Sequence, residues 1–221
     1  MKALNIIYKA TSKIAIGSLL ILITNSCTRE WDNPYDELGV FGTFTDPRDE
    51  QTYNTIEIGS QTWFAENLNH ETSNSCWYDN NSTNGDVYGR LYTLDAALTA
   101  CPAGWHLPSD DEWCTLTTYI DPTVNCNAEG HSGTDASYKM KSTSGWYSNG
   151  NGSNAYGFSA LPGGWRTYNG SFGKIEQHAF FWSSTESGTR AWSRCLNFNF
   201  DNVYRISDDQ ESRFSVRCVK N

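Results

Sequence analysis

Apolar residues occur along this chain in short runs that polar, glycine-rich stretches separate. Two such runs, TYNTIEI and QTWFAEN, lie on either side of Gly59 and Ser60. Strand-like runs around a two-residue Gly-X loop predict a β-hairpin with a type II′ turn. Ile56 and Ile58 then share one face of that hairpin, because successive side chains of a strand point to opposite faces.

Helical spacing occurs in two later segments. In YGRLYTLDAALTAC the spacing is carried by Leu91, Leu94, Ala97 and Leu98. In WHLPSDDEWCTLTTYI, Ser109 is a good N-cap and Glu112 completes a capping box. The buried face of this second helix is expected to contain Trp113, Leu116 and Ile120.

The remaining segments lack helical spacing. Residues 69–87 and 121–154 are polar and predict loops. The last third contains strand-like pieces between turn residues, which predict an antiparallel sheet. These pieces are GFSALPGGWR, AFFWSSTE, RAWSRCLNFNF, NVYRIS and RFSVRCVK. The pattern therefore predicts an α+β domain with a small sheet and long irregular loops.

The first 26 residues have the pattern of an export signal. They contain three lysines and no acidic residue, and an apolar run extends over residues 14–23. That run is too short for a membrane span, which needs about 20 apolar residues. The segment ITNSC resembles a bacterial lipobox, which implies a lipid on Cys27, although Thr24 and Asn25 depart from its usual residues. We expect a signal peptide over residues 1–26 and a tether over 27–43.

The charge of the chain argues against nucleic-acid binding. Removal of the signal takes away three lysines and no acid, which moves the net charge from −9 to −12. Nucleic-acid binding requires a basic footprint, and the sequence has no cluster of Lys and Arg.

Cysteine usage suits an oxidising compartment. Six cysteines remain when Cys27 is set aside, and an even number in an exported chain predicts disulfides, with 15 possible pairings. Metal binding by cysteine is disfavoured because no CxxC pair occurs.

Each candidate for catalysis has a structural explanation that we favour. His106 suits a general base, but it lies among core-like residues. Ser183 and Ser184 have no GxSxG elbow, and hydroxyl bonds within a turn explain them better. Helix capping explains the acidic run 110–112 without glycosidase chemistry.

One acidic region resembles a calcium site in composition. Calcium takes six to eight oxygen ligands, and carboxylates and amides crowd the region after residue 200. The residues concerned are Asp201, Asn202, Asp208, Asp209 and Glu211. A solvated acidic loop explains them better, so we expect no cofactor and do not favour calcium.

Several motifs occur in an order typical of one family. RDEQTYNTIEIGSQTWFAENLN, YGRLYTLDAALTACPAGWHLPSDDEW, GFSALPGGWR, FWSSTE, AWSR and RFSVRCVK resemble the Fibrobacter succinogenes major paralogous domain, over residues 44–221. The resemblance implies a disulfide-bonded, C-type-lectin-like fold with two helices, a small twisted antiparallel sheet and long irregular loops. It also implies a lipoprotein or secreted surface protein, and it leaves the activity unassigned.

The same resemblance implies a disulfide between Cys101 and Cys218, since lectin-like domains commonly join the first helix to the last strand. Cys114 and Cys126 are close enough in sequence to clip the end of the second helix. Cys76 and Cys195 then remain for each other.

The aromatic residues fall into two groups. Trp105, Trp113, Trp165 and Trp182 lie inside the family motifs, which predicts core positions. A second set lies between motifs and combines rings with amides, as carbohydrate sites do. This candidate ligand-binding set is Trp192, Arg194, Asn197, Asn199, Asp201, Asn202 and Tyr204. Ordinary alternation on a half-exposed strand explains the same pattern, and we rank it slightly ahead.

These observations favour a non-catalytic binding module for glycan or protein. We expect a lipid to anchor it in the bacterial outer membrane, with the domain exposed at the cell surface. A secreted hydrolase acting on polysaccharide or peptide is one alternative, and a structural component of the cell envelope is the other.

Overall fold

The computed structural model describes residues 41–221, in which short strands and helices alternate along the chain. The strands are β1 (Phe41–Thr45), β2 (Thr52–Ile58), β3 (Gln61–Phe64), β4 (Ser75–Cys76), β5 (Leu91–Tyr92), β6 (Trp105–His106), β7 (Gly130–Ser132), β8 (Trp165–Arg166), β9 (Phe172–Gly173), β10 (His178–Ser187), β11 (Arg190–Asn197), β12 (Val203–Asp209) and β13 (Val219–Lys220). The helices are α1 (Ser82–Tyr88), α2 (Leu94–Ala100), α3 (Asp110–Ile120) and α4 (Ala136–Met140). The α+β organisation is therefore confirmed.

The predicted hairpin is present as β2 and β3. Gly59 begins its turn with a φ of +60°, a conformation that glycine adopts without strain. Ile56 and Ile58 are buried, at 0% and 2% exposure. The hairpin forms part of a five-stranded antiparallel sheet in the order β1-β2-β3-β13-β6, so the last strand of the domain lies between two early ones.

A second antiparallel sheet has the order β10-β11-β12-β7. In its register Trp182 is opposite Ser193, and Cys195 is opposite Tyr204, which is in turn opposite His131. Side chains directly opposite each other in a ladder share a face of the sheet. This register therefore determines which residues of the candidate set meet.

Both faces of the second sheet are covered by other elements. Phe181 and Leu196 belong to one buried cluster with Trp113 of α3. Trp182 belongs to the other cluster, together with Phe214 from the segment before β13. The middle of the sheet is thus buried on both sides. For that reason most residues of β11 are buried, on both of its faces.

The helices correct the sequence interpretation in part. Helix α3 has the predicted capping box, with both the Ser109 and the Glu112 bonds in place. Helix α2 begins at Leu94, since Leu91 lies in β5 and is not part of the helix. Leu98, which the helical spacing predicts to lie on the apolar face of this helix, is 46% exposed. Helices α1 and α4 lie in segments predicted to be loops. They have seven and five residues, too few for a helical period to be visible in the sequence.

Two of the predicted disulfides are present, Cys101–Cys218 and Cys114–Cys126. The first joins the end of α2 to the residue before β13, and the second joins α3 to the loop that follows it. Among residues 41–221, no helix combines the length and apolar character that crossing a bilayer requires.

The third predicted disulfide does not form, and Cys76 and Cys195 are free thiols. Cys195 is buried in β11, with its Sγ 3.5 Å from His178 Nδ1, whereas Cys76 lies half-buried in β4, which belongs to another sheet. The pairing rested on these two being the cysteines left over. Burial raises the pKa of both thiols, which keeps them protonated and weakly nucleophilic at neutral pH.

Candidate functional site

The candidate ligand-binding residues all lie on β11, on β12 or in the turn 198–202 between them. Trp192 and Tyr204 belong to opposite faces of the sheet. Tyr204 is opposite Cys195, and Trp192 precedes Cys195 by three positions, so alternation places their side chains on different sides. The two rings therefore do not form one surface, and the candidate set divides into two groups.

The group with Trp192 forms part of an internal cluster of charged side chains around Asp110. Arg194 is 2% exposed, and its Nη1 donates to Asp110 Oδ1 at 2.6 Å. Arg205 Nη2 donates to Asp110 Oδ2 at 2.7 Å, and its guanidinium lies 3.4 Å from the centre of the Trp192 ring. Arg194 is thus a structural residue and not a ligand contact, which corrects the prediction.

The charge of Asp110 is stabilised within this cluster. Burial alone would raise the pKa of Asp110, but the hydrogen bonds and charges of Arg205 and Arg194 outweigh burial and lower it. A carboxylate held in this way at the first turn of α3 supports the helix N-terminus and does not act as a general acid.

The group with Tyr204 forms a partly exposed cluster of rings. The His131 ring lies 4.6 Å from Tyr204 and 4.4 Å from Phe200, centre to centre. His131 Nδ1 is 2.8 Å from Asn202 Oδ1, and Phe200 is 41% exposed. Asn199 is exposed in the same turn as Phe200 and Asn202. We call His131, Asn199, Phe200, Asn202 and Tyr204 the hairpin face.

Lys141 fixes the backbone of this turn from beneath. Its side chain is 1% exposed, and its Nζ donates to the carbonyl oxygens of Asn197 and Phe200, at 3.2 Å each. Asp201 is exposed, with a carboxylate oxygen 4.0 Å from Nζ. Because a buried ammonium is costly without acceptors, these bonds hold the turn in one conformation.

Asn197, another candidate, faces inward. Its Nδ2 lies 3.2 Å from His178 Nε2, and its Oδ1 accepts from the backbone N–H of Asn199. The amide of Asn197 therefore shapes the turn, while Asn199 and Asn202 remain as the candidate amides of the hairpin face.

More exposed rings flank the hairpin face. Tyr147 is 53% exposed and packs edge-on against Phe198, at 5.4 Å between ring centres. Tyr138 of α4 is 42% exposed, and its backbone N–H donates to the carbonyl of Asp201 at 3.0 Å. Exposed rings beside amides suit ligands that offer C–H faces and hydroxyls together.

The residues considered for calcium do not form one site. Asp201 and Asn202 precede β12, whereas Asp208, Asp209 and Glu211 lie at its far end. Six residues of strand span about 20 Å, far beyond the reach of one ion.

Sequence reasoning missed another acidic group, formed by Asp46, Asp49 and His70. Both carboxylates already have partners in the fold. Arg48 Nη2 donates to Asp46 Oδ2 at 2.7 Å, and His70 Nδ1 lies 2.7 Å from Asp49 Oδ2. The first contact lies within the turn after β1, and the second joins that turn to the loop after β3.

The residues considered for catalysis are held in structural contacts. His106 is more exposed than predicted, with 40% of its side chain accessible. Its two ring nitrogens each lie 2.7 Å from a partner oxygen, Asn221 Oδ1 and Glu112 Oε1. Ser183 is fully buried, and its Oγ accepts from the backbone N–H of Thr185, as expected of a hydroxyl in a turn.

Trp105, Trp113 and Trp182 are buried, as predicted, whereas Trp165 is half-buried and packs against the core cluster of Trp182. Cys27, the predicted lipid site, lies outside the described residues.

Comparison with known proteins gives one match. Residues 56–220 match the model of the Fibrobacter succinogenes major domain. No curated protein and no solved structure matches the chain.

Proposed function

This chain belongs to the Fibrobacter succinogenes major domain family, and from that premise we propose that it is a non-catalytic carbohydrate-binding module displayed at a bacterial cell surface. The family name specifies no activity, so the proposal rests on the geometry of the domain. The hairpin face carries it: exposed rings and amides stand together on a turn whose backbone is fixed.

The chemistry of the hairpin face favours a sugar. Pyranose rings present C–H groups that pack on aromatic faces, and the Phe200 ring is accessible for this contact. Sugar hydroxyls both donate and accept, as do the amides of Asn199 and Asn202. Asn199 and Phe200 of this turn are exposed to solvent, and stacking on an accessible ring suits a short glycan.

Preorganisation strengthens this assignment. Lys141 bonds two carbonyls of the turn, and His131 contacts both Phe200 and Tyr204. A binding surface that is already ordered loses less conformational entropy when a ligand arrives.

We also propose that the domain has a C-type-lectin-like fold. The support is the Cys101–Cys218 bond, which joins a helix near the start of the domain to its last strand, together with two antiparallel sheets and long connections. The hairpin face would then lie in the part of such a fold that carries ligand contacts.

The anchor is the remaining part of the proposal. A lipid on Cys27 would attach the chain to the outer membrane, and the residues before β1 would hold the domain clear of the lipid surface. Residues 41–43 of the predicted tether lie in β1 and belong to the sheet. Two or three acyl chains hold a protein stably, at about 0.8 kcal/mol per buried methylene. Labelling cells with radioactive palmitate tests this directly: wild type should incorporate label, and a Cys27→Ala chain that still labels would refute it.

The binding test uses the full chain in a non-ionic detergent. It is applied to a glycan array, and the best glycan is then titrated by calorimetry. Phe200→Ala should weaken binding by about tenfold, the equivalent of about 1.4 kcal/mol. Tyr168→Ala is the matched control, because Tyr168 is 68% exposed and lies in the turn between β8 and β9.

Each outcome has a defined meaning. Loss of binding in Phe200→Ala with unchanged binding in Tyr168→Ala supports the proposal. Equal affinities of the two variants for the glycan would show that the hairpin face is not the binding site. Absence of any glycan ligand, with a protein captured instead in a Phe200-dependent way, would replace carbohydrate by a protein partner.

A further inference from the structure

A cavity of about 190 Å³ lies against the second sheet, on the face opposite the Asp110 cluster. It is separate from the hairpin face, because its carboxylate is at the far end of β12. Its lining combines rings, hydroxyls and one carboxylate. The residues are Trp165, Thr167, Phe180, Asp208, Ser212 and Phe214.

Three rings form the walls. Trp165 and Phe180 meet at 73°, with 5.1 Å between their centres. Phe214 lies 4.8 Å from Phe180 on the other side. Trp165 and Phe180 are half-buried, so each ring is partly accessible from the cavity. Trp165 and Phe180 form a steep corner, whereas Phe180 and Phe214 are inclined by 34°. A corner of two rings suits a small, compact group, whereas a flat sugar ring would require one open platform.

Asp208 supplies the charge. Its Oδ2 accepts from Ser193 Oγ at 2.6 Å, and among residues 41–221 no Lys, Arg or His forms an ion pair with it. Arg190 interacts electrostatically with Asp208, but Arg190 is exposed to solvent. Asp209 and Glu129 add negative charge near Asp208. Burial raises the pKa of Asp208 and outweighs the hydrogen bond from Ser193 and the charge of Arg190, which both lower it.

We propose that this cavity binds a small organic cation, an alkylated ammonium group. Aromatic faces attract such a group through their negative quadrupole, and the carboxylate supplies the opposite charge. One carboxylate and two hydroxyls are too few ligands for a metal ion, which requires several oxygens. An anion would be repelled by Asp208. The surplus of acidic over basic residues, 25 against 16, further attracts cations.

The test uses the full chain in a non-ionic detergent and two matched probes. Choline carries a trimethylammonium group, and 3,3-dimethylbutan-1-ol has the same shape without the charge. Both are titrated by calorimetry at constant ionic strength. Choline should bind at least about tenfold more tightly than its neutral isostere, since the charge contributes most of the attraction.

Variants identify the site. Asp208→Asn removes the charge and keeps the shape, and it should weaken choline at least about tenfold with little effect on the alcohol. Asp209→Asn is the control, because this neighbouring carboxylate is exposed and alternation turns it to the other face. Trp165→Leu should weaken choline as well, and circular dichroism confirms that each variant is folded.

The results separate clearly. Equal binding of choline and the alcohol would show an apolar cavity without cation selectivity and overturn the proposal. Choline binding that survives both Asp208→Asn and Trp165→Leu would place the cation elsewhere, and absence of choline binding would overturn it outright. Glycan binding at the hairpin face is independent of all three outcomes.

Discussion

Arg194 and Asp110 join the middle of the second sheet to the first turn of α3, with Nη1 of the arginine 2.6 Å from Oδ1 of the carboxylate. Arg194 is 3% exposed in its side chain and Asp110 12%. The second arginine on this carboxylate, Arg205, also stacks on Trp192. A strand, a helix and a surface ring are thereby held in one arrangement.

Loss of Arg194 should therefore destabilise the domain. Arg194→Ala leaves Asp110 with one partner in a buried setting, and we expect a loss of about 3 kcal/mol in unfolding free energy. Urea denaturation followed by tryptophan fluorescence measures this loss. Arg190→Ala, in the same strand but exposed, should change it by less than about 0.5 kcal/mol. Equal midpoints for the two variants would contradict the structural role of Arg194.

His178 should make stability depend on pH. Burial, with a smaller effect of Lys174, lowers the pKa of His178 from 6.5 to about 4. The unfolded chain therefore binds a proton at higher pH than the folded one, so the contribution of His178 is complete above pH 6.5 and is lost as pH falls toward 4. The expected loss is about 2–3 kcal/mol over that window.

Urea midpoints at several pH values between 4.5 and 7 measure this dependence. His178→Gln should flatten the dependence in this window. A slope that is unchanged in His178→Gln would assign the effect to other groups.

The two free thiols should differ in reactivity. In the unreduced, denatured protein, mass spectrometry after alkylation should find label on Cys76 and Cys195 and none on the four cysteines of the disulfides. In the folded protein Cys76 should react first, because Cys195 is only 3% exposed. Label on Cys101 or Cys126 before reduction would contradict the observed pairing.

The two disulfides should contribute unequally to stability. Cys101–Cys218 closes a loop of 117 residues and Cys114–Cys126 one of 12. Loop entropy predicts about 4.9 kcal/mol for the first and about 2.8 kcal/mol for the second. Paired Cys→Ala variants compared by urea denaturation give the ranking, and a larger loss from the short loop would reject the entropic explanation.

Lys141 should control the hairpin face without touching a ligand. Lys141→Met keeps much of the side-chain volume but leaves the carbonyls of Asn197 and Phe200 without their donor. We expect faster hydrogen exchange at the amides of 198–202 and a loss of about 1–3 kcal/mol in stability. Lys139→Met, two residues away and more exposed, is the comparison. Unchanged exchange in Lys141→Met would show that the turn is ordered by other contacts.

Local signals in the sequence predicted local structure well. The hairpin at Gly59 and the capping box of Ser109 and Glu112 follow from a few neighbouring residues, and both are confirmed. Helices α1 and α4 could not be predicted, because so few residues do not complete a recognisable period.

The candidate site required information that the sequence does not contain. Separating Trp192 from Tyr204 required the register of β11 against β12, because alternation within each strand does not relate the faces of two strands. The partner of Arg194 is 84 residues away, and the hairpin face depends on His131, which comes from a segment predicted to be a loop. Arg217 illustrates the same limit: it is fully buried among carbonyl oxygens, an environment that no local pattern of residues indicates.

The central position of β13 has a consequence for how the domain is made. Val219 pairs with Trp63 on one side and His106 on the other, so residues 156 and 113 positions apart must meet before the five-stranded sheet is complete. Contacts of such long range slow folding. A polypeptide that emerges stepwise from a ribosome or a secretion channel therefore cannot complete this sheet until nearly all of the domain is available. We expect protease resistance to appear late and in a single step during synthesis.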